Sequence, residues 1–195
     1  TWTTNGYFTP YGSEPFDSLN YDMTSLAVSS MALSSVAYGT VNNIPTWVAV
    51  GKNIVTSNDT YTWTESYVFD GTLTNYNFNA VSYVSVPGFT GFIAAGIADG
   101  QTIMVKSIDG VVWTDVTITG TKAINGITTN GTVIVAVGED GVIYTSTNST
   151  VWTELVFAAA ATLNDITFSN NIFIAVGNEG VCVISTDGTS WTTKN

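Results

Sequence analysis

Carboxylate side chains are the main titratable groups of this sequence, and they could take part in acid–base chemistry. The chain carries 15 Asp and Glu residues, four Lys and Arg residues together, and no His. Two carboxylates beside a sugar linkage can serve as the acid and the nucleophile, or the base, of glycoside hydrolysis. Six acids are available for such a role: Asp59, Asp70, Asp99, Glu139, Asp140 and Glu179. Their spacing singles out no acid–nucleophile pair, so the sequence predicts no catalytic residue.

Other catalytic and metal-binding arrangements lack the residues that they need. Without His the chain cannot build a Ser-His-Asp or Cys-His centre, a His-based zinc site or a His general base. No Gly-rich phosphate loop precedes a helical pattern, and no Asp-x-Asp-x-Asp-Gly calcium loop occurs. The single Cys182 lies in an apolar run, which predicts a small buried hydrophobe and excludes an intrachain disulfide. We therefore expect a protein that is not an enzyme and holds neither cofactor nor metal.

The sequence contains four copies of one repeated motif. Each copy has an apolar stretch of the type aliphatic-Ala-aliphatic that ends in Gly, followed by a Ser-x-Asp or Ser-x-Asn stretch that ends in Trp. The period of about 40–50 residues is typical of stacked units that cannot bury their apolar faces alone. The glycines are Gly51, Gly96, Gly138 and Gly177, and the second stretch is marked by Ser57, Asp59 and Trp63, by Ser107, Asp109 and Trp113, by Ser146, Asn148 and Trp152, and by Ser185, Asp187 and Trp191.

The third copy shows that each unit alternates apolar and polar residues in the manner of strands. Its predicted strands cover 123–129, 132–137, 142–146 and a short run around Trp152, with turns at Asn130-Gly131 and at 139–141. The second of these strands is nearly all apolar, which is typical of a strand buried on both faces. Four such antiparallel meanders predict an all-β fold, a β-propeller of four recognisable four-stranded blades. The row of blades either closes alone, belongs to a larger propeller or is completed by another chain.

The Ser-x-Asp stretch also has a local physical role. A short Asp or Asn side chain and a Ser hydroxyl can accept hydrogen bonds from the backbone N–H groups of their own turn, and Gly supplies the positive φ. Over roughly residues 34–193 these stretches resemble the Asp-box, or BNR, repeat of sialidases, of photosystem-assembly propellers and of many secreted or virion proteins. The resemblance is weaker where Thr60 and Ser149 replace the Gly.

That resemblance implies that the boxes are fold elements on the outer hairpin of each blade. Their Asp and Asn residues are then structural and not catalytic. Sialidases of this family hold the substrate carboxylate with a cluster of arginines, and this chain has no arginine. Photosystem-assembly propellers are expected to use a basic Arg patch, which is absent for the same reason. The resemblance therefore implies a non-catalytic propeller.

Charge and composition limit the partners. The formal net charge is −11 and only 10% of the residues are charged, so few cations could displace counterions from nucleic acids or anionic membranes. No stretch reaches the roughly 18 apolar residues that span a bilayer. We expect a neutral or basic protein partner or a glycan, without nucleic-acid binding or membrane insertion. The Thr- and Asn-rich composition, common in secreted and virion proteins, favours an extracellular or virion-surface location.

The turns between second and third strands, and the connections between blades, are predicted on one face, opposite the Ser-x-Asp hairpins. This face collects acids and, in the long connection 64–79, aromatic residues on polar loops, which contribute large contact area at little entropic cost. Its candidate binding residues are Tyr67, Tyr76, Asp99, Glu139, Asp140 and Glu179. The alternative for the aromatics Phe69 and Phe78 is packing on neighbouring blades.

Residues 1–33 do not fit the repeat, which occupies 34–195. They are rich in aromatic residues interrupted by Pro10, Gly12 and Pro15, a composition too aromatic for a disordered tail. We expect either an arm that docks on the propeller or on a neighbouring subunit, or a partial blade. The partial blade is suggested by 1–4, which resemble the end of the fourth copy and favour a chain that begins partway through a longer protein.

The sequence as a whole favours a non-enzymatic binding or structural module. We expect a surface or virion (phage-type) structural or attachment protein that works within a larger homo- or hetero-assembly. Two alternatives stay open, a glycan-binding, lectin-like propeller and an assembly-factor propeller. A screen against glycans separates the first alternative from the main expectation.

Overall fold

The computed structural model describes residues 32–67, 75–155 and 161–194, which form four antiparallel sheets of four strands each. Strands pair in chain order, so every sheet is a simple meander. The first blade consists of β1 (Leu33–Val41), β2 (Ile44–Gly51), β3 (Ile54–Ser57) and β4 (Thr64–Tyr67), and the second of β5 (Tyr76–Val86), β6 (Phe89–Ala98), β7 (Gln101–Ser107) and β8 (Thr114–Asp115). The third consists of β9 (Ile124–Thr129), β10 (Ile134–Gly138), β11 (Ile143–Ser146) and β12 (Thr153–Leu155), and the fourth of β13 (Leu163–Ser169), β14 (Ile172–Gly177), β15 (Cys182–Ser185) and β16 (Thr192–Lys194).

These sheets confirm the predicted β-propeller architecture of four recognisable blades. In the third blade the observed strands lie within one or two residues of the predicted ones. The turn at Asn130 is wider than the predicted two-residue hairpin. Its Oδ1 atom accepts the backbone N–H groups of Thr132 and Val133 at 2.9 and 2.8 Å, an Asx turn that delays the next strand to Ile134. Most of the predicted arm at 1–33, and Phe69, lie outside the described residues.

Three apolar cores lie between neighbouring blades, and the second strand of a middle blade serves two of them. Along β10, Ile134 and Ala136 point into the core shared with the second blade. Val135 and Val137 point into the core shared with the fourth blade, and all four side chains are fully buried. Because a middle blade is covered on both faces, its second strand has to be apolar at every position.

The Gly that ends each apolar stretch is required by a close approach of two backbone segments. A Cβ atom at Gly138 would overlap the carbonyl oxygen of Ala123, just ahead of the first strand of the same blade. The φ angle of Gly138 is −169°, which any residue can adopt, so the requirement is space and not backbone freedom. The same overlap would occur at three more positions, with Ala32 for Gly51, Asn77 for Gly96 and Thr162 for Gly177.

The first strands of the blades follow one another in chain order. The strand β5 packs between β1 and β9, and β9 packs between β5 and β13. Within the described residues no comparable contact joins β13 to β1. The four blades therefore form an open row, which the described part of the chain does not close into a ring.

Candidate functional site

The turns between second and third strands lie on the same face as the connections that enter each blade. In the last three blades the first residue of this turn donates its N–H to the carbonyl oxygen just ahead of the first strand, at 2.8–2.9 Å. The bond from Glu139 to Ala123 is one example. We call this side of the molecule the turn face. Four of the six predicted binding residues lie in its turns: Asp99, Glu139, Asp140 and Glu179.

In the third blade two of these acids are engaged within the turn face. The Asp140 carboxylate forms an ion pair with the Lys122 ammonium group. The hydrogen bond and the charge of Asp140 raise the pKa of Lys122. The Glu139 Oε2 atom accepts the backbone N–H of Ala123 at 3.0 Å. In this part of the turn face, Asp140 forms an ion pair and Glu139 fixes the backbone at the start of the blade.

Three exposed acids of the turn face share one backbone geometry. The φ angles of Asp99, Asp140 and Glu179 are 45°, 53° and 57°, in the left-handed region that L-residues enter at a cost. The Asp99 Oδ1 atom accepts the backbone N–H of Asn75 at 3.1 Å, which ties this turn to the connection ahead of β5. Each of these acids directly precedes the glycine of its turn.

The two predicted tyrosines are half-buried. The Tyr67 ring lies edge-on to the Phe78 ring with centroids 5.9 Å apart, and its hydroxyl donates to Asp115 Oδ1 at 3.2 Å. Phe78 is fully buried in the core between the first two blades, which is the packing alternative stated for it. Tyr76 begins β5. Tyr67 therefore links the first blade to the second at the margin of the turn face.

The Ser-x-Asp hairpins lie on the opposite face, and their polar side chains bind their own turns. In the fourth blade Asp187 Oδ1 accepts the N–H groups of Thr189 and Ser190, each at 2.7 Å. The Ser185 Oγ atom accepts the N–H of Gly188 at 2.8 Å. The pair of bonds to the acid or amide recurs in the other three blades, at Asp59, Asp109 and Asn148. These side chains act as acceptors that shape the hairpins.

Backbone donors hold the pKa of the hairpin carboxyl groups below the ordinary value near 3.8. The N–H groups of Ser190 and Thr189 lower the pKa of Asp187. Backbone N–H groups lower the pKa of Asp59 in the same way. At Asp109 burial is the largest single influence and raises the pKa, but the hydrogen bonds together outweigh it and the pKa is lowered. A carboxylate held in its charged form is a poor general acid near neutral pH.

The indoles of the four hairpins differ in their hydrogen-bond partners. Trp63 and Trp191 donate to carbonyl oxygens of their own hairpins at 3.2 and 3.1 Å. Trp113 donates instead to Ser66 Oγ of the preceding blade, at 3.2 Å. The Nε1 atom of Trp152 is buried and has no hydrogen-bond partner among the described residues. Only Trp113 among these four described indoles therefore links two blades by a hydrogen bond.

Metal binding has no visible basis in the described ranges. Across 32–67, 75–155 and 161–194 no three His, Cys, Asp or Glu side chains gather into a group that could hold a metal ion. The same ranges contain no helix with the length and apolar character needed to cross a bilayer. The exposed acids of the turn face are distributed over three blades.

Exposed apolar side chains at the tips of the Ser-x-Asp hairpins form a surface that the sequence prediction missed. Ile108, Val111 and Val112 of the second blade are each more than half exposed, as are Tyr61 of the first blade and Val151 of the third. Isolated exposed hydrophobic residues are ordinary, but three on one hairpin tip form a patch. We call these five residues the apolar hairpin surface.

A comparison of the four copies of the repeat could have revealed this surface. The variable positions around Asp109 are Ile, Val and Val, whereas the fourth copy has hydroxyl side chains at the same positions: Thr186, Thr189 and Ser190. Turn tips exposed to water do not require apolar residues. The substitution of apolar for hydroxyl residues in one copy therefore marks the second hairpin as different.

An open groove runs beside the second hairpin. Its lining includes Phe89, Lys106, Ile108 and Val112. The Lys106 Nζ atom donates to Thr150 Oγ1 of the third blade at 2.8 Å and lies 5.3 Å from the centroid of the Phe89 ring. The groove thus has mainly apolar walls and one ammonium group that the neighbouring blade holds in place.

Comparison with known proteins supports the propeller fold. No protein-family profile matches the sequence, and no curated protein matches it. Among solved structures, YCF48 bound to a D1 peptide is similar with a TM-score of 0.62 and 21% identity, over 85% of this chain and 55% of that chain. YCF48 from Cyanidioschyzon merolae has a TM-score of 0.56 and 18% identity, over 84% and 56% of the two chains.

A third similar structure is Sqt1 from Saccharomyces cerevisiae, with a TM-score of 0.56 and 14% identity, over 84% of this chain and 47% of that chain. The chain spans about half the length of these three structures. At such low identities the likeness concerns the fold alone. It agrees with the four meanders and carries no residue of a binding site to this chain.

Proposed function

We propose that this chain is a non-enzymatic binding module that contacts a protein partner through the apolar hairpin surface. The observation that carries the proposal is the joint exposure of Ile108, Val111 and Val112 on one hairpin tip. Burial of apolar surface is favourable by about 25 cal/mol per Å². A contiguous exposed apolar patch is a typical mark of a protein contact.

The charges of the chain favour a neutral or basic partner. The formal net charge is −11 with four basic residues, and two of these are engaged, Lys106 with Thr150 and Lys122 with Asp140. The hairpin acids Asp59 and Asp109 keep their negative charge because their pKa values are lowered. A segment with apolar anchors and basic residues fits this combination, whereas a polyanion would be repelled.

The hairpin hydrogen bonds support a role without catalysis. Each hairpin carboxylate accepts two backbone N–H groups, as Asp187 does from Thr189 and Ser190. Such carboxylates support the fold and are unsuited to donate a proton near neutral pH. The YCF48 structure holds a D1 peptide, and for the present chain the binding of a peptide segment is part of this proposal.

The finer role that we propose is that of a structural or attachment protein at a virion or cell surface, outside the cytoplasm. The support for it is the resemblance of the Ser-x-Asp stretches to the Asp-box repeat, together with the low content of charged residues, 10% of the chain. An assembly-factor role is the alternative within protein binding. The absence of arginine makes it less favoured, because the assembly propellers of this kind are expected to use an Arg patch.

A glycan-binding role is the alternative that would use the turn face. Its support is the position of Tyr67 and Tyr76 at the margin of that face, which also carries the exposed acids Asp99 in the second blade and Glu179 in the fourth. Aromatic rings and carboxylates commonly bind sugars through stacking and hydroxyl hydrogen bonds. Both tyrosines are already partly covered, so the hairpin surface offers the larger apolar contact.

Two screens of the purified chain test the proposal, one against a library of displayed random peptides and one against an array of immobilised glycans. We expect peptide binders rich in apolar and basic residues. Val111→Asp should reduce their affinity by at least about tenfold, since it places a charge in an apolar contact. The matched control is Thr189→Asp, at the corresponding exposed position of the fourth hairpin. Glycan binding that Tyr67→Ala abolishes and Val111→Asp spares would replace this function by the glycan alternative.

A further inference from the structure

Every junction between neighbouring blades is built from the same two halves. The preceding blade supplies alternate residues of its second strand, such as Val135 and Val137 of the third blade. The following blade supplies a large side chain of its second strand and the tip of its hairpin, such as Phe173 and Gly188 of the fourth. The fit is close, because a Cβ atom on Gly188 would lie 3.0 Å from the Val135 side chain. We call these the aliphatic half and the aromatic half, although the third blade has Ile134 and Ser149 where the fourth has Phe173 and Gly188.

Within the described residues, the fourth blade carries an aliphatic half that no blade covers. By position in the repeat, Ile174 and Val176 correspond to Val135 and Val137 of the third blade. The two residues of the third blade are fully buried, whereas Ile174 is 38% exposed and Val176 is 48% exposed. The fourth blade therefore presents to solvent the kind of face that elsewhere forms a core.

Cys182 belongs to the same uncovered face. It corresponds to Ile143, which is fully buried between the third and fourth blades, yet Cys182 is only half-buried. The expectation of a buried Cys182 is therefore wrong. The reason is that a position which is buried in a middle blade is uncovered at the end of the row.

The first blade carries an uncovered aromatic half. The rings of Tyr38 and Trp47 pack with centroids 4.7 Å apart, as Phe168 and Phe173 of the fourth blade do at 4.6 Å. The fourth-blade pair lies in a core. On the first blade Tyr38 is 49% exposed, and Val36 on the same face of β1 is 59% exposed.

The two uncovered halves are counterparts, and within the described residues they do not meet. We propose that a second copy of this chain binds head to tail, so that the first blade of each copy covers the fourth blade of the other. One chain offers both halves, and a second copy supplies both counterparts at once. Two identical contacts of this kind close a ring, whereas one contact would leave an open row. The proposed contact repeats the blade-to-blade interface that occurs at the three junctions within the row.

Opposite charges fit the same junction. Within the row, Tyr67 on β4 donates to Asp115 on β8 of the next blade at 3.2 Å. By strand pairing, Lys194 of the fourth blade stands where Tyr67 stands, and Glu65 of the first blade stands where Asp115 stands. Head-to-tail contact therefore brings a Lys194 ammonium group of one copy to a Glu65 carboxylate of the other. The Glu65 Oε1 atom accepts the Asn53 side-chain amide.

Thr60 is the point where the proposed junction fits least closely. It occupies the hairpin tip with a φ of 68°, where the second and fourth blades have Gly110 and Gly188. A Cβ atom on Gly110 would lie 3.1 Å from Val48 of the preceding blade. The third blade accommodates Ser149 at this tip, fully buried with a φ of 62°. The larger Thr60 side chain would hold two copies further apart, so its removal should tighten the contact between copies.

The mass of the chain in solution tests the proposal. Sedimentation equilibrium should give twice the chain mass of 20.7 kDa, with dissociation on dilution. A monomer at all concentrations, or a trimer or larger species, would overturn it.

Substitutions on the two halves locate the contact. Val176→Asp on the aliphatic half and Val36→Asp on the aromatic half should each weaken the dimer by at least about tenfold, because each buries an unpaired carboxylate. Both positions are exposed in the single chain, so circular dichroism should show an unchanged fold. Val112→Asp, on the hairpin face, is the matched control and should leave the dimer intact. If Val176→Asp or Val36→Asp dimerises as tightly as Val112→Asp, the dimer contact does not involve that half.

A charge exchange tests the head-to-tail orientation. Lys194→Glu and Glu65→Lys should each weaken the dimer by about two- to fivefold, and the double variant should recover the original affinity. A double variant no tighter than either single variant would overturn this orientation. Thr60→Gly should strengthen the dimer, and an unchanged or weaker dimer would contradict the tight approach at the hairpin tip.

Discussion

The Oγ atom of Ser185 accepts the backbone N–H of Gly188 at 2.8 Å, and both residues are buried. The same hydroxyl donates to Asp187 Oδ1 at 3.0 Å, so its orientation is set by two bonds at once. Corresponding bonds occur at Ser107 and Gly110 in the second blade. Water cannot easily replace an acceptor at such a buried point, and the hairpin depends on this hydroxyl.

Ser185→Ala should therefore lower the free energy of unfolding by about 1–3 kcal/mol, because it leaves a buried N–H group without an acceptor. Urea denaturation followed by tryptophan fluorescence measures the change. Thr186→Ala, at the exposed neighbouring position, is the control and should stay within about 0.5 kcal/mol of the wild type. Equal stability of the two variants would contradict the role of the Ser185 hydroxyl.

The lowered pKa of Asp187 predicts an acid-dependent stability. Its backbone donors favour the carboxylate in the folded chain, so its folded pKa lies below the unfolded value near 3.8. This contribution is present above the unfolded pKa and is lost as the pH falls through the folded pKa. The melting temperature should fall on acidification below about pH 4, and less steeply in Asp187→Asn. Identical slopes in the two proteins would show that Asp187 does not contribute.

The indole of Trp152, which has no hydrogen-bond partner among the described residues, gives a matched comparison with Trp191. Both rings are half-buried, but only Trp191 donates its Nε1–H, to the Gly188 carbonyl at 3.1 Å. Trp191→Phe and Trp152→Phe remove similar apolar surface, whereas only the first removes a hydrogen bond. Trp191→Phe should cost about 1 kcal/mol more in the free energy of unfolding. Thermal or urea unfolding of the two variants measures this difference. Equal losses in the free energy of unfolding would argue that the Trp191 hydrogen bond does not contribute.

The propeller could be predicted because its signals are local and repeated. The apolar second strand of each copy, as in 134–138, reflects burial on both faces, and turn residues mark its ends. The hydrogen-bonding role of Asp187 follows from the chemistry of short carboxylates in turns. The exact width of the turn at Asn130 did not follow, because it depends on which backbone N–H groups the side chain accepts.

The surfaces could not be predicted as well, because exposure depends on neighbours that are distant in sequence. Cys182 and Val176 have the sequence environment of core residues, and only their place at the end of the row exposes them. Tyr67 looked like a loop aromatic, but its ring and hydroxyl reach the second blade. The exposed apolar tip at Ile108 lies within the Ser-x-Asp stretch, whose role in all four copies was interpreted as structural, so its variable positions were not considered as a binding surface.

Gly138 provides a test of how the blade is held together at its inner corner. A Cβ atom there would overlap the Ala123 carbonyl oxygen. The same oxygen accepts the backbone N–H of Glu139 at 2.9 Å. Gly138→Ala should push the two segments apart, weaken that bond, and lower the free energy of unfolding by about 1–3 kcal/mol.

The matched control for this prediction is Gly100→Asn. Gly100 has a φ of 77° with no atom near its missing Cβ, and Asn tolerates the left-handed region, as Asn171 does here with a φ of 61°. The cost at Gly100 should therefore be smaller, because it comes from the backbone conformation alone. Calorimetric melting of both variants measures the difference. A Gly138→Ala protein that melts no lower than Gly100→Asn would mean that the repeated Gly is not required by the close backbone approach, and that its recurrence in all four copies has another cause.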